Sequence, residues 1–265
     1  MRTGSATGGI AHLEFGADQA LFVYGVLRAD DADRDVRALK GLDGQDVQFV
    51  RAGALAVAVS SVELDRPPGR RAELLAYQSV LDLLASAGPV APIRFGSVLA
   101  DAEAIVEDLL HPQEQQLTIV LDQLQGRQQY NLRATYVEDA VLADLVAEDA
   151  EIRRLREHTR QLPDDVGYHE RARLGELVFN AMRDRSAYDA TVLLGAVAPF
   201  AVDYLLRTAP SATQVLDAAL LVEEGRTFDL VERLEDLAEA VHERIRLKLL
   251  GPLAAYDFVG EIGWD

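Results

Sequence analysis

The order in which short β-type runs and helical stripes follow one another constrains the fold of this chain more than any other feature. In the second half, Tyr130, Leu132, Ala134 and Tyr136 alternate with polar residues, which predicts a half-buried strand. Two helical stretches follow, at residues 141–158 and 169–197, and then a strand hairpin at 200–207 and 214–222. A helix at 227–241 and a last alternating strand at 245–249 complete the order. This order predicts a β-α-β-β-α-β ferredoxin-like domain with an extra long helix.

Three details of this second half are expected from single residues. The long helix His169–Val197 ends before Pro199, because proline cannot continue a helix. Thr227 is a predicted N-cap, and Gly251-Pro252 is expected to stop the last strand. The buried stripe of the long helix is predicted at Leu174, Leu177, Val178, Ala181, Met182, Tyr188, Val192 and Gly195.

The first half has a similar order with shorter elements. Leu21–Leu27 reads as a buried strand, and two strands joined at Ala52-Gly53 read as a hairpin. Val90–Gly96 is extended, and Pro92 places it at a sheet edge. The predicted helices are a short one at 30–40, one ending at Ala87-Gly88-Pro89 and one at 101–110 that His111-Pro112 breaks. Residues 114–124 form either a further helix, which we favour, or a strand through Leu117–Leu121.

The predicted architecture is therefore α+β with two domains. The domain limits are a disordered leader at 1–19, a smaller α/β sandwich at 20–125, a ferredoxin-like domain at 126–250 and a tail at 251–265. Gly126 marks the boundary, and no sequence repeat relates the halves.

Composition excludes several classes of protein. The chain has no cysteine, so neither disulfides nor Cys-ligated metals are expected. Its net charge of -18 disfavours nucleic acid and anionic lipid as partners. No apolar run approaches the roughly 20 residues of a membrane helix, and the polar N-terminus does not read as a signal peptide. The cytoplasm is the expected compartment.

The search for catalytic or cofactor-binding motifs finds none. His169–Arg173 and His242–Arg246 begin like zinc-protease motifs, but arginine stands where the second histidine is required. Neither nucleotide-binding glycine motif is present, and Phe95–Leu99 lacks the second glycine of a nucleophile elbow. Adjacent acids such as Glu107-Asp108 are typical of a solvated surface. We expect no enzyme activity, no metal and no cofactor.

Two stretches are less easily explained as surface or core. Ala91–Val98 places Arg94 inside an apolar strand, where the charge needs an acidic partner or marks a protein contact. Leu250–Phe258 carries Tyr256 and Phe258 after Gly-Pro, and these aromatic residues either pack back on their own protein or anchor a partner. Arg94, Phe95, Gly96, Tyr256 and Phe258 are the predicted protein-contact or domain-bridging residues.

These two stretches also resemble the gas vesicle protein L/F family. Pro92–Ser97 is similar to its Arg-Phe-Gly-Thr core behind a proline, and Gly251–Phe258 to its Gly-Pro-Trp-Pro-Pro-Tyr-x-Phe tail. Tyr24-Gly25 and the apolar segment Leu216–Glu223 are also typical, in the same order. This chain departs from the family at Tyr77, where a histidine is common, and at Leu253, Ala254 and Ala255, which replace Trp-Pro-Pro.

The resemblance implies a non-enzymatic accessory protein that binds the major gas vesicle shell protein and other accessory proteins during vesicle nucleation and growth. Two alternatives remain. One is a small-molecule-binding regulatory protein with a ligand between two ferredoxin-like domains. The other is a carboxylate-based hydrolase, which needs two inward-facing acids about 5 to 10 Å apart.

Overall fold

The computed structural model describes residues 19–33, 39–63, 68–163, 166–208, 211 and 213–260. The leader predicted at 1–19 lies almost wholly outside these residues, as do residues 34–38 of the short helix predicted at 30–40 and the last five residues of the tail. The described chain divides into two compact units. Unit 1 runs up to Gln129 and resumes at Pro252, and unit 2 is Tyr130–Gly251.

The strands of unit 1 are β1 Gln19–Arg28, β2 Gln48–Ala52, β3 Leu55–Glu63, β4 Val90–Pro92 and β5 Val98–Leu99. They form an antiparallel sheet with the order β2-β3-β1-β4, in which β5 also pairs with β1. The central strand β1 is buried from Ala20 to Leu27, which explains its unbroken apolar run. The predicted hairpin is confirmed as β2 and β3, with Gly53 at φ 58° in its turn.

The helices of unit 1 are α1 Arg71–Ala87, α2 Ala102–Ala104 and α3 His111–Leu124, with a π-helical turn at Ile105–Leu110 between the last two. The predicted break at His111-Pro112 is wrong. The N–H of His111 donates to the carbonyl of Val106, five residues back, and Pro112 sits in the first turn of α3. At that position the missing proline N–H is tolerated, so the helical path continues.

The elements of unit 2 are β6 Arg127–Tyr136, α4 Glu138–Glu148, α5 Ala150–Gln161, α6 Tyr168–Val197, β7 Asp203–Leu206, β8 Gln214–Glu223, α7 Thr227–Val241 and β9 Ile245–Leu253. The strands form the second antiparallel sheet, in the order β7-β8-β6-β9. The strand hairpin predicted from 200 to 222 is confirmed as β7 and β8. The core of unit 2 is formed by one face of β6 and β8 with α4, α6 and α7, and includes Leu132, Val141, Leu193, Leu220 and Leu230.

Two predicted helices of unit 2 need correction. The helix predicted at 141–158 is two helices, because Asp149 leaves the helical conformation and its carboxylate caps Glu151 and Ile152 at 2.8 and 3.0 Å. The buried stripe predicted for the long helix, α6, is also partly wrong, since Tyr188, Val192 and Gly195 are exposed. The buried positions of α6 are Met182, Asp189, Leu193 and Val197.

Two predicted boundaries also differ. Thr227 is the first helical residue of α7 and makes no cap, because a 3-10 turn at Glu224–Arg226 leads directly into the helix. Gly251-Pro252 does not stop the last strand, and β9 continues to Leu253. An edge strand tolerates proline, because its outward-facing amide needs no partner in the sheet.

Candidate functional site

The segment Arg94–Ser97 forms a tight turn on the edge of the unit 1 sheet. Ile93 N–H donates to Tyr24 O at 2.9 Å, and Val23 N–H donates to Ser97 O at 3.0 Å, so both ends of the turn are fixed to β1. Ser97 N–H closes the turn on Arg94 O at 3.2 Å. Gly96 has φ 92°, which side chains rarely allow, so this position of the turn requires glycine.

Arg94 is exposed at the start of this turn. The expectation that it lies inside an apolar strand is wrong, because β4 has already ended at Pro92. No ion pair of Arg94 is recorded with any residue that the structure describes. The guanidinium is thus presented to solvent on a turn whose backbone is tied down at both ends.

Phe95, the next residue, points into a cluster of aromatic rings that we call the aromatic cluster: Phe22, Tyr24, Tyr77, Phe95 and Tyr256. The Phe95 ring lies 5.8 Å from that of Phe22 and 5.2 Å from that of Tyr77, both edge-on. Tyr24 stacks on Tyr77 at 6.1 Å. Edge-on aromatic pairs of this kind add to the stability of a core, so the aromatic cluster anchors the turn that carries Arg94.

The C-terminal segment also folds onto unit 1. Tyr256 lies 6.1 Å from the Tyr77 ring. Ala254 N–H donates to the Asp82 carboxylate at 3.0 Å, and Asp257 and Gln129 exchange two hydrogen bonds of 3.1 and 2.5 Å. Phe258 is half-buried in the same segment. Of the two interpretations of the tail, the structure places Tyr256 in the aromatic cluster of its own unit.

Burial dominates the electrostatics of this region. It raises the pKa of Tyr77 and of Tyr256 well above the usual range for tyrosine. Tyr77 Oη donates to the carbonyl of Ile93, just before the turn. Tyr256 Oη is buried and has no partner among the described residues. Both phenols stay neutral at physiological pH, so they act through packing and hydrogen bonding and supply no charge.

Asp82 is the acid that fixes the tail, and burial raises the pKa of its carboxyl while the hydrogen bond from Ala254 lowers it. A raised pKa in the folded state means that the protonated form is favoured there. The stabilisation from that proton is present below the unfolded pKa of 3.8 and is lost as the pH rises through the folded value.

Asp82→Asn should therefore leave the protein equally or slightly more stable near neutral pH, by at most about 1 kcal/mol, because Asp82 is half-buried and partly screened. The amide oxygen still accepts from Ala254, without the cost of burying a charge. The difference from wild type should shrink as the pH falls toward about 4. Urea unfolding at both pH values measures it. Asp82→Ala, which lacks the acceptor, is the matched control and should be less stable than Asp82→Asn. If Asp82→Asn is as unstable as Asp82→Ala, this account is wrong.

The sequence missed the contacts that hold the tail. Asp82 and Gln129 carry no motif, and their partners lie 172 and 128 residues away. Hydrogen bonds between segments this far apart leave no local pattern in a sequence, so the sequence carries no signal that could have found them.

Two further kinds of feature, metal-binding clusters and membrane-spanning helices, were considered for the described part of the chain. Over those residues, no group of three or more His, Asp or Glu side chains is arranged to hold a metal ion. Among the described helices, none combines the length and apolarity required to cross a bilayer.

Comparison with known proteins gives consistent matches along the chain. The family described as "Gas vesicle synthesis protein GvpL/GvpF" matches residues 20–260. Gas vesicle protein F of Streptomyces sp. (strain CB03234) is 32% identical over 241 residues, covering 90% of this chain and 98% of the relative. Gas vesicle protein F of Dolichospermum flosaquae is 22% identical over 240 residues, covering 90% and 96%.

The fold is shared with a solved structure. The crystal structure of the gas vesicle protein GvpF from Anabaena sp. PCC7120 has a TM-score of 0.76 to this chain at 21% identity, and the match covers 91% of this chain and 98% of that one. The mixed fold of helices and two antiparallel sheets is therefore common to both.

Proposed function

Because the chain belongs to the GvpL/GvpF family of gas vesicle synthesis proteins, we propose that it is an assembly accessory protein. In this proposal it binds the major shell protein and other accessory proteins during vesicle nucleation and growth. The observation that carries the contact site is the exposed Arg94, held on a turn that is fixed to β1 at both ends and anchored by Phe95. A rigid support lowers the entropy lost on binding, and arginine is enriched at binding hot spots.

The charge of the chain fits this role. A very apolar shell subunit exposes a β-forming surface before assembly, and such surfaces aggregate. A binder with a net charge of -18 keeps the bound subunit dispersed, because like-charged complexes repel one another. Arg94 contributes a local positive charge to this acidic molecule, so it gives the contact a fixed orientation.

The remaining parts of the proposal concern class, place and architecture. We propose a non-enzymatic protein that acts in the cytoplasm in association with gas vesicles. We also propose that residues 20–125 and 126–250 fold as separate domains, and that the second is ferredoxin-like. Two observations support that fold for unit 2: its strands occur as one strand, a helical region, a hairpin, a helix and a final strand, and its sheet has the order β7-β8-β6-β9.

Co-expression with the major gas vesicle shell protein followed by affinity capture tests the proposed contact. Arg94→Glu should lower the capture of shell protein at least about tenfold, since a charge at a hot spot contributes more than about 1.4 kcal/mol. The fold should not change, because Arg94 is exposed. This substitution is a cleaner probe than replacing Tyr256, which packs against Tyr77 and would disturb unit 1.

Arg246→Glu is the matched control, because Arg246 is also an exposed arginine but lies on β9 of unit 2. It should capture shell protein as well as wild type. If folded wild type captures none, direct shell binding is wrong. If both substitutions weaken capture equally, binding depends on overall charge and the Arg94 turn is not the contact.

A further inference from the structure

The strand β7 is an exposed, apolar edge of the unit 2 sheet. Among the strands that the structure describes, it is the last on its side of the sheet, next to β8, and all four of its residues are exposed. Tyr204, Leu205 and Leu206 have exposed fractions of 41%, 43% and 57%. Exposed apolar side chains on an unpaired sheet edge favour pairing with a strand of another chain.

The hydrogen-bond pattern shows which backbone groups face this open edge. Arg207 N–H donates to Asp217 O at 2.9 Å, so these opposed residues form a hydrogen-bonded pair. Such pairs alternate along an antiparallel ladder, which makes Leu205 and Ala219 the next one. The backbone groups of Tyr204 and Leu206 therefore point away from β8, and the Asp203 carboxylate accepts from Tyr204 N–H at 2.8 Å.

The opposite edge of the same sheet has a different chemistry. The strand β9 carries Arg246, Lys248 and Pro252, and it is more than twice as long as β7. Charged side chains and proline are the means by which natural sheet edges avoid pairing. Of these two edges, β7 lacks such protection over Tyr204–Leu206.

We propose that β7 pairs with β7 of a second copy of this chain, antiparallel, about a two-fold axis at Leu205. In this register Tyr204 lies opposite Leu206 of the second copy, so the outward-facing backbone groups form two hydrogen-bonded pairs. Leu205 faces Leu205 of the second copy, and Asp203 faces Arg207. The Tyr204 N–H exchanges the Asp203 carboxylate for a carbonyl of the second copy. The two sheets then form one continuous sheet, and both copies contribute the same residues to the interface.

Charge complementarity favours this self-pairing. One end of β7 is acidic, with Asp203 and the neighbouring Glu223 and Glu224 at the end of β8. The other end is basic, with Arg207 and Arg133, which both contact the carboxylate of Asp217. Antiparallel pairing brings the acidic end of each copy against the basic end of the other. Salt largely screens exposed charges that lie farther from the contact than the screening length of about 8 Å, so the local charges outweigh the net charge of -18 at the contact.

Sedimentation velocity of the full chain over a series of protein concentrations tests the pairing. Wild type should show a reversible monomer–dimer equilibrium. Leu205→Lys and Leu205→Glu should each be monomeric, because two like charges would face each other on the two-fold axis, about 5 Å apart. An equimolar mixture of these two variants should dimerise again, since lysine then faces glutamate.

Leu250→Lys is the matched control, because Leu250 is an exposed leucine on the opposite edge strand β9. It should dimerise like wild type. A monomeric wild type at every concentration overturns the proposal. So does a dimer that survives Leu205→Lys, a dimer lost in Leu250→Lys, or a mixture that stays monomeric while wild type dimerises. None of these measurements uses the shell protein, so their outcome is independent of the proposed function.

Discussion

Replacing Gly41 with alanine is expected to lower the free energy of unfolding by about 3 kcal/mol or more. A Cβ atom at this position would lie 2.0 Å from Tyr24 Oη and 2.9 Å from its Cζ. Tyr24 cannot easily move, because it is fully buried in β1 and stacks on Tyr77. Its hydroxyl also accepts from Leu42 N–H and bonds the buried Ser60, each at 2.8 Å. Overpacking and lost buried hydrogen bonds therefore act together.

Urea unfolding of Gly41→Ala against wild type measures this loss. Gly69→Ala is the control, because a Cβ at Gly69 meets nothing within 4 Å, and its effect should stay within about 0.5 kcal/mol. Adding Tyr24→Phe should lessen the cost of Gly41→Ala, since the atom in closest contact is removed. A variant at Gly41 as stable as the one at Gly69 would rule out this account of the close approach.

Asp217→Ala should destabilise unit 2 by about 2 to 3 kcal/mol. The carboxylate is buried, and it accepts from Arg207 at 2.9 Å and from Arg133 and Gln214 at 3.1 Å each. The substitution removes the carboxylate that contacts the guanidinium of Arg207, whose side chain is 30% exposed. Arg133 is more exposed and water replaces part of its interaction, which keeps the loss below that of a fully buried pair.

Thermal or urea unfolding followed by far-ultraviolet circular dichroism measures the effect of Asp217→Ala. Asp184→Ala is the control, because Asp184 is exposed and pairs with its neighbour Arg183 on the surface of α6. Its effect should lie within about 0.5 kcal/mol. If the two variants unfold alike, the cluster around Asp217 does not contribute to stability.

The sequence predicted the elements of the fold well where the apolar pattern is local. The unbroken run from Leu21 to Leu27 and the hairpin around Gly53 depend on neighbouring residues, and both were identified correctly. Helix boundaries were predicted wrongly where the same residue type is found in two different structural positions. Asp149 is an ordinary helix-surface acid in the pattern but caps a new helix in the structure. Pro112 is a helix breaker in general, yet the π-helical turn before it gives it a permitted position.

The candidate site was predictable only in part, for a similar reason. Its residues, including Gly96, were identified by their family pattern, and the turn that requires glycine at position 96 was not predicted. The environment of each side chain depends on contacts between distant segments, such as Tyr77 with Tyr256. The exposure of Arg94 could not be predicted from its apolar neighbours, because the strand β4 ends at Pro92 and Arg94 lies in the turn that follows it.

The return of the chain to unit 1 at Pro252 has a consequence for biosynthesis. Unit 1 contains residues from both sides of unit 2, so the ribosome must add about 120 further residues before unit 1 has all of its parts. At about 5–20 residues per second, this delay is on the order of ten seconds. During that interval Asp82, Gln129 and the Tyr77 face of the aromatic cluster lack their C-terminal partners, while unit 2 is a single continuous stretch that can fold as it emerges.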